Sequence, residues 1–256
     1  MEILLDYKLW ILFFIMARLV GVTLLIPYFS STFVPNVVKV FIVVFLSYLI
    51  LPTVNQVFPI DGNVLMIVYH ILINFILGVT IGIMIQLVFY AIQFAGEFMG
   101  IQMGFALANV LDPNLNEQVS LISQLSFLFA SVIFFLLKGH ILMYELIISS
   151  FEKVPVLFNL DGGSYIIFAQ KLGDILVIGL QFAMPITAFM IFIKVALGII
   201  SRLIPQMNVF MVGLPLNILV GFLIIMVVIV TWEEEISQIF LEMYYWVKKS
   251  MILLSQ

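Results

Sequence analysis

Six long apolar blocks, separated by breaks that carry proline or glycine, constrain this chain more than anything else in it. They run from Leu9 to Ile26, Val40 to Val57, Val64 to Phe94, Val119 to Leu137, Ile175 to Ile193 and Val209 to Val230. A helix rises about 1.5 Å per residue, so roughly 20 apolar residues cross the ~30 Å of hydrocarbon in a bilayer. Only 9% of the residues are charged and the mean hydropathy is +1.28, far from the makeup of a soluble domain. The blocks are apolar at consecutive positions rather than at alternate ones, which excludes a transmembrane barrel. The expected fold class is therefore all-α: polytopic hydrophobic helical hairpins with about six long apolar helices, forming one domain over residues 1–256.

The breaks arise from backbone chemistry. Pro27 and Pro35 bracket the first connection, and Pro52, Pro59 and Asp61-Gly62-Asn63 make the second. The longest connection, Lys138 to Asp174, holds a short apolar stretch from Ile141 to Phe151, ended by Pro155 and Asp161-Gly162-Gly163. That stretch reads as an interfacial or re-entrant helix. The tail from Glu233 to Gln256 reads as amphipathic and helical. At the N-terminus, Glu2 and Asp6 precede an apolar run that continues to Ile26 without a small-x-small cleavage site, so the segment reads as a span and not a signal peptide. Lys8, Lys138, Lys153, Lys171, Lys248 and Lys249 fall on one side of the spans, and Lys39, Lys194 and Arg202 on the other, which places both termini in the cytoplasm.

Several function classes are excluded. A formal charge of -4 leaves no cationic surface for phosphates, so nucleic acid is not a partner. With no cysteine there is no thiolate metal site or iron–sulfur cluster. His70 and His140 stand apart, without a second ligand at helical spacing, and no GxxxxGK[ST] loop occurs. No catalytic residue, cofactor or metal is expected. Ser150, His140 and Glu145 can be drawn as a triad, but their local spacing does not suit a pre-organised nucleophile.

The polar residues inside the apolar blocks are more informative. Arg18 sits mid-block, where a lone cation in hydrocarbon costs at least about 2.5 kcal/mol, so it must face protein, water or a carboxylate. Asn74, Gln86 and Gln93 interrupt the third block, Ser123, Gln124 and Ser126 the fourth, and Gln181 and Pro185 the fifth. Such groups are satisfied by neighbouring helices, and their number favours packing against other protein on several sides within a larger membrane-associated complex. Arg18, Gln102, Gln124 and Arg202 are the intramembrane polar candidates. Gly96, Gly100 and Gly104, four apart, form one smooth stripe that lets another helix approach closely. Beyond them Phe105, Leu107, Asn109, Val110, Leu111 and Asp112-Pro113 lead into a turn-forming segment. Met99 and Met103, with Phe98 and Phe105, can serve either as core filling or as a deformable seal.

A set of landmarks extends this pattern along nearly the whole chain. They are Arg18 with Pro27 and Pro35; Gly96, Gly100, Gln102, Met103 and Gly104; Asp112-Pro113; Gly139-His140; Ser150 through Pro155; Pro185; and Gly198, Arg202, Pro205-Gln206, Asn208, Phe210, Gly213 and Pro215. In order and spacing they resemble the FliR family of flagellar export-gate proteins, whose relatives serve virulence injectisomes. Gln102-Met103-Gly104 and Asp112-Pro113-Asn114-Leu115-Asn116 are more similar to the flagellar branch. Lys194 departs from the polar uncharged residue expected there, so no role passes to it.

The resemblance implies a non-catalytic structural and gating subunit of the type III secretion export gate, in the bacterial inner membrane at the flagellar basal body. It implies FliP, FliQ, FlhB and FlhA as partners, with membrane lipid around the assembly and unfolded secreted polypeptides passing through it. It also implies a pore plug from Gly104 to about Val119, carried by Gly104, Phe105, Leu107, Asn109, Val110, Leu111, Asp112 and Pro113. An injectisome subunit is the nearest alternative. A secondary transporter using Arg18, Lys194 and Gln181 is a further one, though no paired repeats are visible.

Overall fold

In hydrocarbon every backbone N–H and C=O must be paired within the protein, so apolar blocks free of internal breakers become helices. The computed structural model describes residues 2–27, 34–54, 64–105, 120–156, 162–204, 206 and 209–253. Among them are seven α-helices: α1 (Glu2–Thr23), α2 (Asn36–Ile50), α3 (Val64–Met103), α4 (Leu121–Leu136), α5 (Gly139–Lys153), α6 (Gly162–Leu203) and α7 (Val209–Leu253). A single 3-10 turn, Leu51–Thr53, comes after α2, and the described residues contain no strand. The fold is all-α.

Four helical stretches are long and apolar enough to cross a membrane: Asn36–Thr53, Val64–Met103, Gly173–Leu203 and Met211–Met251. A fifth arises if α4 and α5 together count as one broken span. The exact count of six is therefore not confirmed among the described residues, for two physical reasons. Every 18-residue stretch of α1 carries at least three of Glu2, Asp6, Lys8 and Arg18. The 16 residues of α4 reach only about 24 Å before Lys138 turns the backbone left-handed at φ 55.

One further expectation is corrected. The connection read as Lys138 to Asp174 is largely helical, because α6 begins at Gly162. Glycine ends helices, but it is also well tolerated at their starts. The tail from Glu233, expected to be helical, is so as far as Leu253. It continues α7, a 45-residue helix with no proline after Pro215.

The chain divides into two compact units. One comprises Met1–Val88, Lys138–Leu172 and Leu241–Gln256; the other comprises Phe89–Leu137 and Gly173–Phe240. In the first, α1 and α3 touch backbone to backbone. A Cβ added to Gly78 would lie 2.9 Å from the Arg18 carbonyl carbon, one on Gly21 would lie 2.7 Å from the Val79 nitrogen, and one on Gly82 would lie 3.0 Å from the Val22 oxygen. The second unit has an aromatic core in which Phe89, Phe134 and Phe240 meet at centroid separations of 5.1 to 5.4 Å. Nearby, Trp232 is fully buried and packs on Phe182 at 4.6 Å.

The α1–α3 seam makes a sharp prediction. Gly78→Ala should destabilise the chain by about 1–3 kcal/mol, because the added methyl meets backbone that cannot yield. Gly173→Ala, where nothing lies within 4 Å of the new atom, should be neutral or stabilising by up to about 1 kcal/mol. Thermal unfolding of the two variants in detergent measures the contrast, and equal melting temperatures would refute the seam.

Candidate functional site

Arg18 is fully buried on α1, among side chains and main-chain carbonyls of the first unit. Its Nε and Nη2 donate to Asn74 Oδ1 at 3.1 and 2.7 Å. Nη1 donates to the Ser150 carbonyl at 2.8 Å and, at 3.3 Å each, to Ser150 Oγ and the Val154 carbonyl. Nη2 also reaches the Pro155 carbonyl at 3.3 Å. The guanidinium lies 4.2 Å from the centroid of the Phe151 ring, at cation–π distance. Asn74 is fixed in turn: its Nδ2 donates to the carbonyls of His70 and Val156, both at 2.8 Å.

None of these acceptors is a carboxylate. The cation is held by neutral oxygens, most of them at the C-terminal end of α5, where unpaired carbonyls concentrate partial negative charge. The planar fork of arginine suits this divergent set, which a lysine could not cover. The landmarks Arg18 and Ser150–Pro155, more than 130 residues apart in sequence, are thus one structure. Sequence reasoning missed Asn74 as the partner, and it missed the Gly78/Gly82 pair on the next turns of α3. The signals were present: an amide in an apolar block, then glycines at the same four-residue spacing as Gly96 and Gly100.

The other polar candidates do not join this cluster. Gln124 and Arg202 are exposed, and Gln102 is half-buried and accepts a hydrogen bond from Lys194 Nζ. Two of the residues drawn as a triad, Ser150 and Glu145, are committed elsewhere. Ser150 Oγ donates to the Ile147 carbonyl at 2.6 Å while accepting from Arg18, and Glu145 pairs with Lys248 at 2.7 Å. No group of three metal-ligating side chains occurs among the described residues.

In the second unit the glycine stripe lies against the start of α4. A Cβ on Gly96 would stand 2.6 Å from Ser126 Oγ and 2.7 Å from Ser123 Cα, and one on Gly100 would run into Ser120 Oγ. Ser123 Oγ donates across this contact to the Gln93 carbonyl at 2.9 Å. Gly104 has a different task. With φ at 96 it ends α3, its N–H donating to the Ile101 carbonyl at 3.1 Å and the Phe105 N–H to the Gly100 carbonyl at 3.0 Å. That bond pair is the glycine-closed helix end in which only glycine is comfortable. Phe105 then packs edge-on against Phe222 at 6.1 Å, and buried Met103 fills the space beside Gly221. Of the plug residues only Gly104 and Phe105 are described; Leu107, Asn109, Val110, Leu111, Asp112 and Pro113 lie outside the described residues.

Residues 9–243, which include the arginine cluster and the glycine stripe, match the family described as Bacterial export proteins, family 1. The chain belongs to that family. Three relatives, each named Flagellar biosynthetic protein FliR, show how the likeness is spread. The protein of Bacillus subtilis (strain 168) is 34% identical over 128 residues, 48% of this chain and 49% of the relative. That of Aquifex aeolicus (strain VF5) is 27% identical over 211 residues, 82% of this chain and 81% of the relative. That of Buchnera aphidicola subsp. Baizongia pistaciae (strain Bp) is 26% identical over 227 residues, 86% of each. In the first comparison, the chain spans about half the length of the Bacillus protein. The FliR-family resemblance read from the landmarks is thereby borne out.

Two predictions test this member of the export-protein family as a folded chain. Arg18→Met leaves neutral acceptors unpaired and should cost roughly 3 kcal/mol. Asn74→Leu takes from a buried cation the acceptor shared by its Nε and Nη2 and should cost more, about 3–5 kcal/mol, with the double variant milder than the sum. Melting temperatures in detergent give the cycle, and strict additivity would show that the two side chains do not act together. For the stripe, Gly96→Leu must push apart helices of the same chain. It should lower the melting temperature of the chain purified by itself, by an amount corresponding to about 1–3 kcal/mol.

Proposed function

We propose that this chain is a structural and gating subunit of the flagellar type III protein export gate, helping to form and seal the pore through which unfolded flagellar proteins are secreted. The observation that carries this reading is membership of the bacterial export family together with relatives named as flagellar biosynthetic proteins. Physical features support a subunit rather than a self-contained machine. The apolar stretch of α7 is only 17% buried, and α6 and α7 present Phe192, Met211, Met226 and Val227 to the outside. FliP, FliQ, FlhB and FlhA are the expected neighbours, in the inner membrane at the basal body. Arg18, the residue best placed to serve a transporter, is taken up by structural bonds, which favours the non-catalytic reading.

The gate must pass an unfolded polypeptide while holding back ions. An apolar constriction does this by dewetting, and methionine and phenylalanine can yield to a chain without breaking a fixed hydrogen-bond pattern. In this reading Met103 and Phe105, at the glycine-closed end of α3, lead into the plug that runs to about Val119.

Deleting Leu107 to Leu111 should leave co-purification with FliP and FliQ intact while raising the leak of ions or small molecules across the membrane. The paired measurements are complex yield on a native gel and leak in reconstituted vesicles. Unchanged leak with intact assembly would move the seal to another subunit.

A further inference from the structure

Lys194 is an exposed cation on α6, well inside Gly173–Leu203, a stretch apolar enough to cross a membrane. Its neighbours on the helix are exposed and apolar: Ile191 is 51% exposed, Phe192 73% and Val195 57%. It lies nine residues before the helix end at Leu203, about 14 Å inward along the axis. Among the described residues the one hydrogen-bond partner of its ammonium is the Gln102 side-chain oxygen on α3. An ammonium has three donors, and one amide oxygen neither fills them nor cancels the charge.

The same face continues in a definite pattern. Gly198, one turn on, has nothing within 4 Å of where a Cβ would stand, and Arg202, a further turn on, is exposed. Positions four and eight residues apart drift only about 40° per step, so cation, open gap and cation share one flank. The gap admits a helix backbone at close range, and the inner cation calls for a negative partner, since a charge at membrane depth is found paired or in water.

We propose that this flank of α6 seats a membrane helix of a different subunit, whose carboxylate pairs with Lys194 while its backbone closes on Gly198. The contact presupposes that the chain is a subunit, as proposed above, and specifies the chemistry of one interface. A lipid phosphate is disfavoured because headgroups lie at helix ends, where Arg202 is, and not nine residues inward. A water-lined position is disfavoured because it would also wet the side chains of Ile191 and Phe192.

The test uses the complex purified from its native membrane. Dicyclohexylcarbodiimide, an apolar reagent, activates carboxylates within membranes for attack by an adjacent amine, and mass spectrometry locates the resulting amide. The expected product is a peptide joining Lys194 to an aspartate or glutamate of another polypeptide. Lys194→Arg should abolish that product while holding complex yield within about twofold, since the charge remains. Lys194→Met should lower the yield at least about fivefold without changing the melting temperature of the chain alone, and Gly198→Leu should do the same. Replacing the cross-linked carboxylate by an apolar residue should restore assembly with Lys194→Met.

Wild-type yield for Lys194→Met together with no cross-link overturns the proposal and leaves the subunit reading intact. So does labelling of Lys194 in the assembled complex by a membrane-impermeant amine reagent, which places it in water. Loss of a co-purifying anionic lipid in place of a subunit, or a cross-link to a carboxylate of a second copy of this chain, overturns it as well. Purification from the native membrane that brings down no other polypeptide with the wild-type chain sinks both readings.

Discussion

One buried cation organises the first unit. A guanidinium removed from water inside an apolar chain must recover several strong interactions, and Arg18 finds them at Asn74, Ser150, Val154 and Pro155. Each of those acceptors has to be held still by something else. Asn74 is held by the carbonyls of His70 and Val156, and α5 has to end where it does so that its last carbonyls point at α1. The Gly21, Gly78 and Gly82 contacts bring the backbones of α1 and α3 close enough for an arginine side chain to reach Asn74. Packing and polar satisfaction therefore depend on each other: a wider seam would leave the cation short of its acceptors.

The same logic explains why glycine recurs here at four-residue spacing in two unrelated places. In the seam of the first unit the neighbour is backbone, so even a methyl group has no room. At Gly96 the neighbour is again partly backbone, whereas at Gly100 it is a serine hydroxyl that can rotate away. Identical spacing thus conceals different tolerances, and they become distinguishable only once the facing atoms are known.

How much of this was legible in the sequence depended on how far each interaction reaches along the chain. Helicity of the six apolar blocks was legible because it depends on local backbone pairing and an absence of breakers. Spanning length was less so: α4 stops at Leu136 through a left-handed residue, Lys138, where a lysine and not the neighbouring Gly139 takes the positive φ. Gly162-Gly163 misled because the same residue type serves both ends of a helix. The need to satisfy Arg18 was legible from cost alone, yet its partners were not. They lie 56 to 137 residues away, and several are main-chain carbonyls, which every residue possesses and none advertises. The contact faced by the Gly96–Gly100 stripe was likewise hidden, since spacing does not say whether the approaching helix belongs to the same chain.

The glycine-closed end of α3 has a mechanical consequence. Two backbone hydrogen bonds, at 3.1 and 3.0 Å, and the Phe105–Phe222 contact clamp the first two residues that leave the helix. Tension applied from beyond Phe105 is therefore delivered to a stiff anchorage and not dissipated by unwinding α3 from its last turn. Such a joint behaves like a hinge pin, keeping its own place under motion imposed on it from outside the helix. The load at which Gly104 would give way sets an upper bound on the pull that this joint can carry without fraying the helix behind it.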